Sequence, residues 1–215
     1  VVFIMERIED KKNIILRPAA GFYERYLKRP FDAILSTGAL IVFSPILLVT
    51  ALLVRVKLGS PVLFTQPRPG RIDPDTGKER IFKLYKFRTM TDERDKNGKL
   101  KSDAERLTSF GKILRKTSLD ELPELFNIIK GDMAVLGPRP QLVRDMVFMS
   151  LEQRQRHTVR PGLSGLAQVN GRNGISWEEK LDWDLKYIEN IKFATDADLV
   201  FQTFHKAGAQ EGITD

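Results

Sequence analysis

One uncharged run dominates the order of apolar and polar positions, the 22 residues Ala33 to Val54 (AILSTGALIVFSPILLVTALLV). As a straight helix it would be about 33 Å long, enough for a hydrocarbon core of about 30 Å. Ser44-Pro45 interrupts it near the middle. Each half alone, at roughly 15–18 Å, is too short to cross. Pro45 removes a backbone donor and crowds the preceding turn, so a kink is predicted there. The flanks carry further information. Lys28 and Arg29 precede the run, and Arg55 and Lys57 follow it. A spanning helix gathers its basic residues on the cytoplasmic side. Basic residues at both ends fit a segment that enters the lipid, turns at Ser44-Pro45 and comes back out. The Ser44 hydroxyl is placed to bond a carbonyl that Pro45 frees, which lowers the cost of a break in lipid. The competing readings are a tilted, kinked spanning helix and a buried helix of a soluble core. A secretory signal peptide is not expected, because the run starts late and Arg55-Val56-Lys57 follows it.

Before the run, Phe22 to Asp32 reads as a basic, aromatic lead that is at least partly helical, with Tyr23, Tyr26 and Phe31 at headgroup depth. Pro18 and Pro30 argue against one continuous helix through it. After the run, residues 61–66 (PVLFTQ) and 81–87 (IFKLYKF) read as two short strands. Asp73-Pro74 and Thr76-Gly77 mark turns between them. Asp92 to Ser102 is a charged loop containing Asn97-Gly98. Helices are predicted over Ala104–Lys116, Ser118–Lys130 (ended by Gly131), Gln141–Gln155, Ser176–Asn190 and Asp198–Lys206. Ser176 with Glu179 three residues later forms a capping box. Arg160 to Gly174 holds four glycines and one proline, so it reads as an ordered loop or a set of turns.

Composition narrows the chemistry. The 215 residues fit one ordinary domain plus a membrane element, with 42% hydrophobic and 29% charged positions. There is no cysteine, which excludes disulfides and thiolate catalysis. His157 and His205 are the two histidines; they make a multi-histidine metal site improbable and read as surface or packing residues. Trp177 and Trp183 read as packing or interface aromatics rather than substrate platforms. The net charge of +7 is uneven: residues 1–120 hold 24 Lys/Arg against 14 Asp/Glu, and residues 121–215 hold 11 against 14. The basic part carries the apolar run, so anionic lipid headgroups and phosphate substrates are the expected partners. Nucleic acid would also suit a basic protein, but no nucleic-acid-binding motif is present and it leaves Ala33–Val54 unexplained.

Three stretches are candidates for chemistry. In SLDELPEL (118–125), adjacent carboxylates open a predicted helix. Ser118 and Glu121 fit a capping box, which is a purely structural account. In the functional account Asp120 is a nucleophile, or the pair binds a divalent cation. Both are compatible with phosphate binding at a helix N-terminus. The second stretch is a set of cations. Lys83, Lys86 and Arg88 lie on or beside a strand, with Lys83 and Lys86 on opposite faces. Lys112, Arg115 and Lys116 precede Asp120, and Arg139 is held stiffly between Pro138 and Pro140. A solvated basic face explains any one of them; their combination with a carboxylate pair fits a pyrophosphate better. The third is the glycine-rich loop RPGLSGLAQVNGRNG, which lacks the spacing of a P-loop or a dinucleotide fingerprint.

In this order, the motifs resemble the bacterial sugar transferase family, the monotopic phosphoglycosyl transferases. The resemblance covers roughly Tyr26 to Phe204 and rests on the Ser44-Pro45 segment, FTQPRPG (64–70), LYKFRTM (84–90), SLDELPEL (118–125), NIIKGDMAVLGPRP (127–140) and RPGLSGLAQVNGRN (160–173). The chain looks most like the small bacillosamine-type phosphate transferases. The resemblance implies transfer of a sugar 1-phosphate from a UDP-sugar to a polyprenol phosphate (undecaprenyl phosphate), with release of UMP. It implies Asp120 as nucleophile through a phosphosugar-aspartyl intermediate. Glu121 would deprotonate or position the lipid phosphate, and Mg²⁺ would have Asp120 among its ligands. Lys86, Arg115 and Arg139 match positions near the bound phosphate, and Arg172 matches the nucleotide-binding loop. The implied fold is α+β: a monotopic membrane protein with an N-terminal re-entrant helix broken at Ser44-Pro45. A compact, mostly helical cytoplasmic catalytic domain with a short β-hairpin follows it. Its divisions are an extension (1–25), the re-entrant helix (26–58) and the catalytic domain (59–215). The implied site of action is the cytoplasmic face of the bacterial inner membrane, among membrane lipids and downstream glycosyltransferases. Neither the sugar nor the oligomeric state is set by the sequence. A non-catalytic adaptor binding anionic lipid is the alternative; it leaves Asp120-Glu121, Gly-Pro-Arg-Pro and the glycine loop unexplained.

Overall fold

A computed structural model describes residues 20–171 and 174–209, so most of the expected extension lies outside the described residues. Tyr23–Leu27 wind as a π-helix that runs directly into helix α1, Lys28–Leu58. The helix passes Pro30 and Pro45 without interruption. The expected break at Ser44-Pro45 is therefore not a break in the winding, and the lead-in is not divided at Pro30. Pro45 has no N–H for the carbonyl of Ile41, one turn back. Ser44 Oγ donates to that carbonyl at 2.8 Å, so the orphan is satisfied within the helix, as the sequence suggested.

Both ends of α1 are tied to the same folded body. At its start, Lys28 pairs with Asp196 at 2.6 Å, and Asp32 accepts from the Val135 backbone at 3.1 Å. Tyr23 donates to Asp196 at 2.9 Å, which draws it inward from the expected headgroup position; Tyr26 and Phe31 remain exposed. At its end, the buried Arg88 donates to the carbonyls of Leu58 (2.5 Å) and Ser60 (2.8 Å). The outward face is apolar: Ile41 is 70% exposed and Leu48 72%. That excludes the reading of α1 as a core helix of a soluble protein, because so large an exposed apolar surface needs lipid or a partner.

Strands β1 (Leu63–Ile72) and β2 (Glu79–Phe87) form an antiparallel hairpin, pairing Leu63 with Phe87 through to Pro69 with Ile81. They are longer than predicted because Pro67 and Pro69 do not end β1. In a two-stranded sheet each strand is an edge, where a missing N–H is tolerated. The predicted helix Ala104–Lys116 is two pieces, α2 (Asp103–Arg106) and α3 (Ser109–Lys116), parted by an extended Leu107. Thr108 caps α3 by accepting from Gly111 N at 3.0 Å. Gly111 packs so tightly on the Thr89 carbonyl that a Cβ would lie 1.9 Å from it.

Helix α4 (Glu124–Lys130) leads into β3 (Ala134–Leu136), which pairs in parallel with β4 (Gly162–Ser164). The predicted helix Gln141–Gln155 is instead covered by two 3-10 segments, Val143–Phe148 and Gln153–Thr158. Val147 and Phe148, part of the apolar pattern that suggested a helix, are 70% and 77% exposed, with no core to face. Three helices complete the fold: α5 (Leu166–Val169), α6 (Trp177–Glu189) and α7 (Phe193–Ala209). The capping box at Ser176 and Glu179 forms as expected.

The core is three apolar clusters arranged along α1. Tyr23, in the π-helix before α1, packs against the cluster that contains Leu136, Tyr187 and Leu199; Ala39 and Leu40 pack against the one that contains Phe82, Leu125 and Met133. Val54 and Leu58 join Phe87 and Leu114. The π-helix and α1 together thus meet all three clusters.

Candidate active site

The carboxylate motif is built differently from a capped helix. Ser118 sits in the left-handed region (φ 55°) and its side chain makes no cap bond, so the expected box with Glu121 is absent. Pro123 supplies the reason. A helix starting at Leu119 would need a fifth-position N–H, which proline lacks. The chain makes one 3-10 turn, Leu119–Glu121, and starts α4 only after Pro123. Gly131 ends α4 at φ 93°, as predicted.

Around this turn three carboxyl groups face the same cations, Lys86 and Arg139, in unlike surroundings. Asp120 is buried and makes no hydrogen bond among the described residues. Burial and the adjacent Glu121 push its carboxyl up to about 6, against the pull of Lys86, Arg115 and Arg139. Glu121 accepts from Lys86 Nζ at 2.7 Å and from Arg139. Burial opposes its ionisation, but Arg139 and Lys86 outweigh burial and hold it down at about 2. Glu124, on the first turn of α4, is buried 3.2 Å from the same Lys86 Nζ. Burial and Glu121 push it up to about 7. Groups so close and so differently placed divide into an ionised partner of the cations and others that take up protons near neutrality.

The cations are held by the fold. Asn127 of α4, fully buried, accepts from Tyr85 N at 3.0 Å and donates to Lys83 O at 2.8 Å. Those bonds fix β2 on α4 and set Lys86 over Glu121, while Lys83 faces solvent. Arg139 follows β3, and its own carbonyl accepts from the buried Arg156 at 2.5 Å. Arg156 is in turn paired with Asp184 of α6, at 2.9 and 2.6 Å. Arg115 donates to Thr89 Oγ1 at 3.2 Å and lies within electrostatic reach of Asp120.

Of the sequence candidates, Asp120, Glu121, Lys86, Arg115 and Arg139 come together. Arg88 serves the end of α1 instead. Lys83, Lys112 and Lys116 point to solvent, and Arg172 lies outside the described residues. His157 is a buried packing residue 3.3 Å from Glu79. Sequence reasoning gave no role to Glu124, to Arg68 in the adjoining cleft, or to the Arg156–Asp184 pair. Glu124 carried a signal, since it stands three residues after Glu121, and Arg68 falls within FTQPRPG (64–70); the Arg156–Asp184 pair carried none.

The donor set also fits Mg²⁺. No group of three His, Cys, Asp or Glu side chains gathers as a metal cage among the described residues. Mg²⁺ characteristically takes one or two carboxylates and completes its shell with water and substrate phosphates. The uncommitted carboxylate of Asp120 suits that mode.

The model of one protein family, "Bacterial sugar transferase", matches residues 23–210. The chain belongs to the bacterial sugar transferase family. It is 48% identical over 187 residues to the uncharacterized sugar transferase EpsL of Bacillus subtilis, covering 87% of this chain and 90% of EpsL. It is 41% identical over 189 residues to the UDP-glucose:undecaprenyl-phosphate glucose-1-phosphate transferase of Klebsiella pneumoniae, covering 83% of this chain but 39% of that protein. The exopolysaccharide production protein PSS of Rhizobium leguminosarum is 39% identical over 192 residues, covering 82% of this chain and 92% of PSS. The matched stretch of this sugar transferase takes in the long helix, the hairpin and the Asp120 turn. Relatives named for a sugar carry N-acetylgalactosamine, glucose or galactose, so membership does not choose the sugar.

Proposed function

We propose that this sugar transferase moves a sugar 1-phosphate from a UDP-sugar to undecaprenyl phosphate or a related polyprenol phosphate, the first membrane step of glycoconjugate assembly. The observation that carries the reading is Asp120, buried and uncommitted, within the field of Lys86, Arg115 and Arg139. An ionised Asp120 oxygen attacks the sugar-bearing phosphorus. The bond from that phosphorus to the bridging oxygen breaks, and UMP leaves with the electron pair. A phosphate oxygen of the lipid then attacks the same phosphorus, and the aspartyl carboxylate is restored. Lys86 and Arg139 neutralise the diphosphate, and bidentate Arg139 fixes its orientation. Mg²⁺, held by Asp120 and phosphate oxygens, would spread the charge of the diphosphate further. A carboxylate held near 2 is a poor base at neutral pH, so we assign Glu121 to positioning the two cations. The measurement is UMP release from a panel of UDP-sugars by the full chain. Release is expected to require a polyprenol phosphate and to stop with EDTA. UMP formed steadily without lipid would reject the transfer.

The same reading places the protein monotopically, on the cytoplasmic leaflet of the bacterial inner membrane. Its support is geometric. The 31 residues of α1 would span about 46 Å if straight, more than the hydrocarbon core. Lys28 at one end and Leu58 at the other bind one folded body, which cannot stand on both faces of a bilayer. The exposed apolar face of α1, with Ile41, Leu48 and Leu52, is then the surface that meets lipid. Tags placed before residue 20 and after residue 210 are expected to be accessible from the same side; opposite sides would reject a re-entrant segment.

A further inference from the structure

The cleft beside the carboxylates holds two buried polar atoms without hydrogen-bond partners. Its volume is about 80 Å³, and Arg68, Leu84, Lys86, Glu124, Arg139 and Pro140 line it. Glu124 is 1% exposed. Its Oε1 lies 3.2 Å from Lys86 Nζ as an ion pair but accepts no hydrogen bond. Nε of Arg68 is likewise buried and unbonded. The other two guanidinium nitrogens are committed, to Pro140 O at 3.0 Å and Gln66 Oε1 at 2.7 Å. Native interiors leave few such atoms unpaired, and each calls for a reason.

One orphan is an acceptor and the other a donor. A phosphodiester, which only accepts, would satisfy Arg68 but offer no donor to the unbonded Glu124 oxygen. A hydroxyl or an amide donates and accepts together, so it answers both. Position then selects the part of the substrate. Glu124 shares Lys86 with Glu121, and Glu121 directly follows Asp120. In the reaction proposed above, the phosphorus beside Asp120 bears the sugar, whereas uracil lies a phosphate and a ribose further on. The polyprenol phosphate offers no such donor. We propose that Glu124 and Arg68 form the sugar subsite, Glu124 accepting from and Arg68 donating to one hydroxyl or N-acetyl amide of the donor's sugar ring. The proposal rests on the UDP-sugar reading and adds the residues that choose the sugar.

The test crosses variants with substrate analogues. UMP release is measured for the full chain in detergent with the best UDP-sugar and with analogues each lacking one hydroxyl or the N-acetyl group. Glu124→Gln is expected to lower kcat/KM for the parent sugar about 10- to 100-fold. For the one analogue lacking the contacted group, the same substitution should matter less than about 3-fold. Inhibition by UMP should be unchanged. Equal losses across all analogues, or weakened UMP inhibition, would overturn the subsite. Arg68→Lys, which keeps the charge and removes Nε, should reproduce the pattern, and it decides the question if Glu124→Gln does not fold. A wild type that turns over no UDP-sugar overturns the donor reading itself, a failure distinct from a flat pattern in an active enzyme.

Discussion

Replacing Asp120 by asparagine is expected to give a folded protein that releases UMP at least about 10³-fold more slowly. Asparagine keeps the volume and removes the anionic oxygen, so the loss falls on chemistry and not on packing. Stability should move the other way. The folded carboxyl titrates at about 6, above its ordinary value of 3.8, chiefly because it is buried. The native state then binds more protons than the unfolded state between those values, and stability falls as pH rises through that window. Above pH 6 the ionised Asp120 costs the fold on the order of 2–3 kcal/mol. Asp120→Asn escapes that cost. In EDTA, its melting temperature should match the wild type below pH 4 and exceed it from pH 6 upward. A variant that melts lower at pH 7.5 would show that Asp120 is a structural residue. Full turnover would remove it as nucleophile, whatever its stability.

The elements that set this site were unequally legible. Adjacent Asp120 and Glu121, the proline-flanked Arg139 and the strand carrying Lys86 are local features, and each was readable from its neighbours. What the local pattern misjudged was the backbone around Asp120. The Ser-x-x-Glu spacing is a good cap signal, yet Pro123 overrides it by denying the bond that a continuous helix needs. The parallel pair of β3 and β4 joins three-residue strands far apart in sequence, too short for any periodicity. Its trace in sequence is glycine: a Cβ on Gly162 would lie 2.1 Å from the Gly137 nitrogen. The basic flanks of α1 pointed to a segment that leaves the lipid on the side where it enters, but not to the bonds that tie both its ends to one folded body. Arg88 looked like a phosphate ligand among Lys83 and Lys86, and only its bonds to Leu58 and Ser60 show that it closes the helix. A buried arginine serving carbonyls and an exposed one serving a substrate read alike in sequence.

Arg156→Met is expected to destabilise the fold by about 3–5 kcal/mol, because it strands Asp184 as an unpaired buried charge. Both side chains are 1% exposed, so water cannot repair the loss. For a chain of this size the shift in melting temperature would be roughly 6–20 °C. The double variant Arg156→Met/Asp184→Leu removes both charges and should recover most of that stability. It cannot recover function fully. Arg156 also donates to the carbonyl of Arg139, and no apolar side chain replaces that bond. Arg139 then gains freedom at the point where it must meet a diphosphate in a fixed orientation. The double variant is therefore expected to be stable yet lose about tenfold in kcat/KM, an amount typical of a positioning contact. Melting curves and UMP release on the same preparations separate the two effects. A double variant with wild-type kcat/KM would confine Arg156 to holding the fold. One that is stable and slow would place the Arg156–Asp184 pair behind the phosphate-binding arginine, acting on the reaction through a backbone carbonyl.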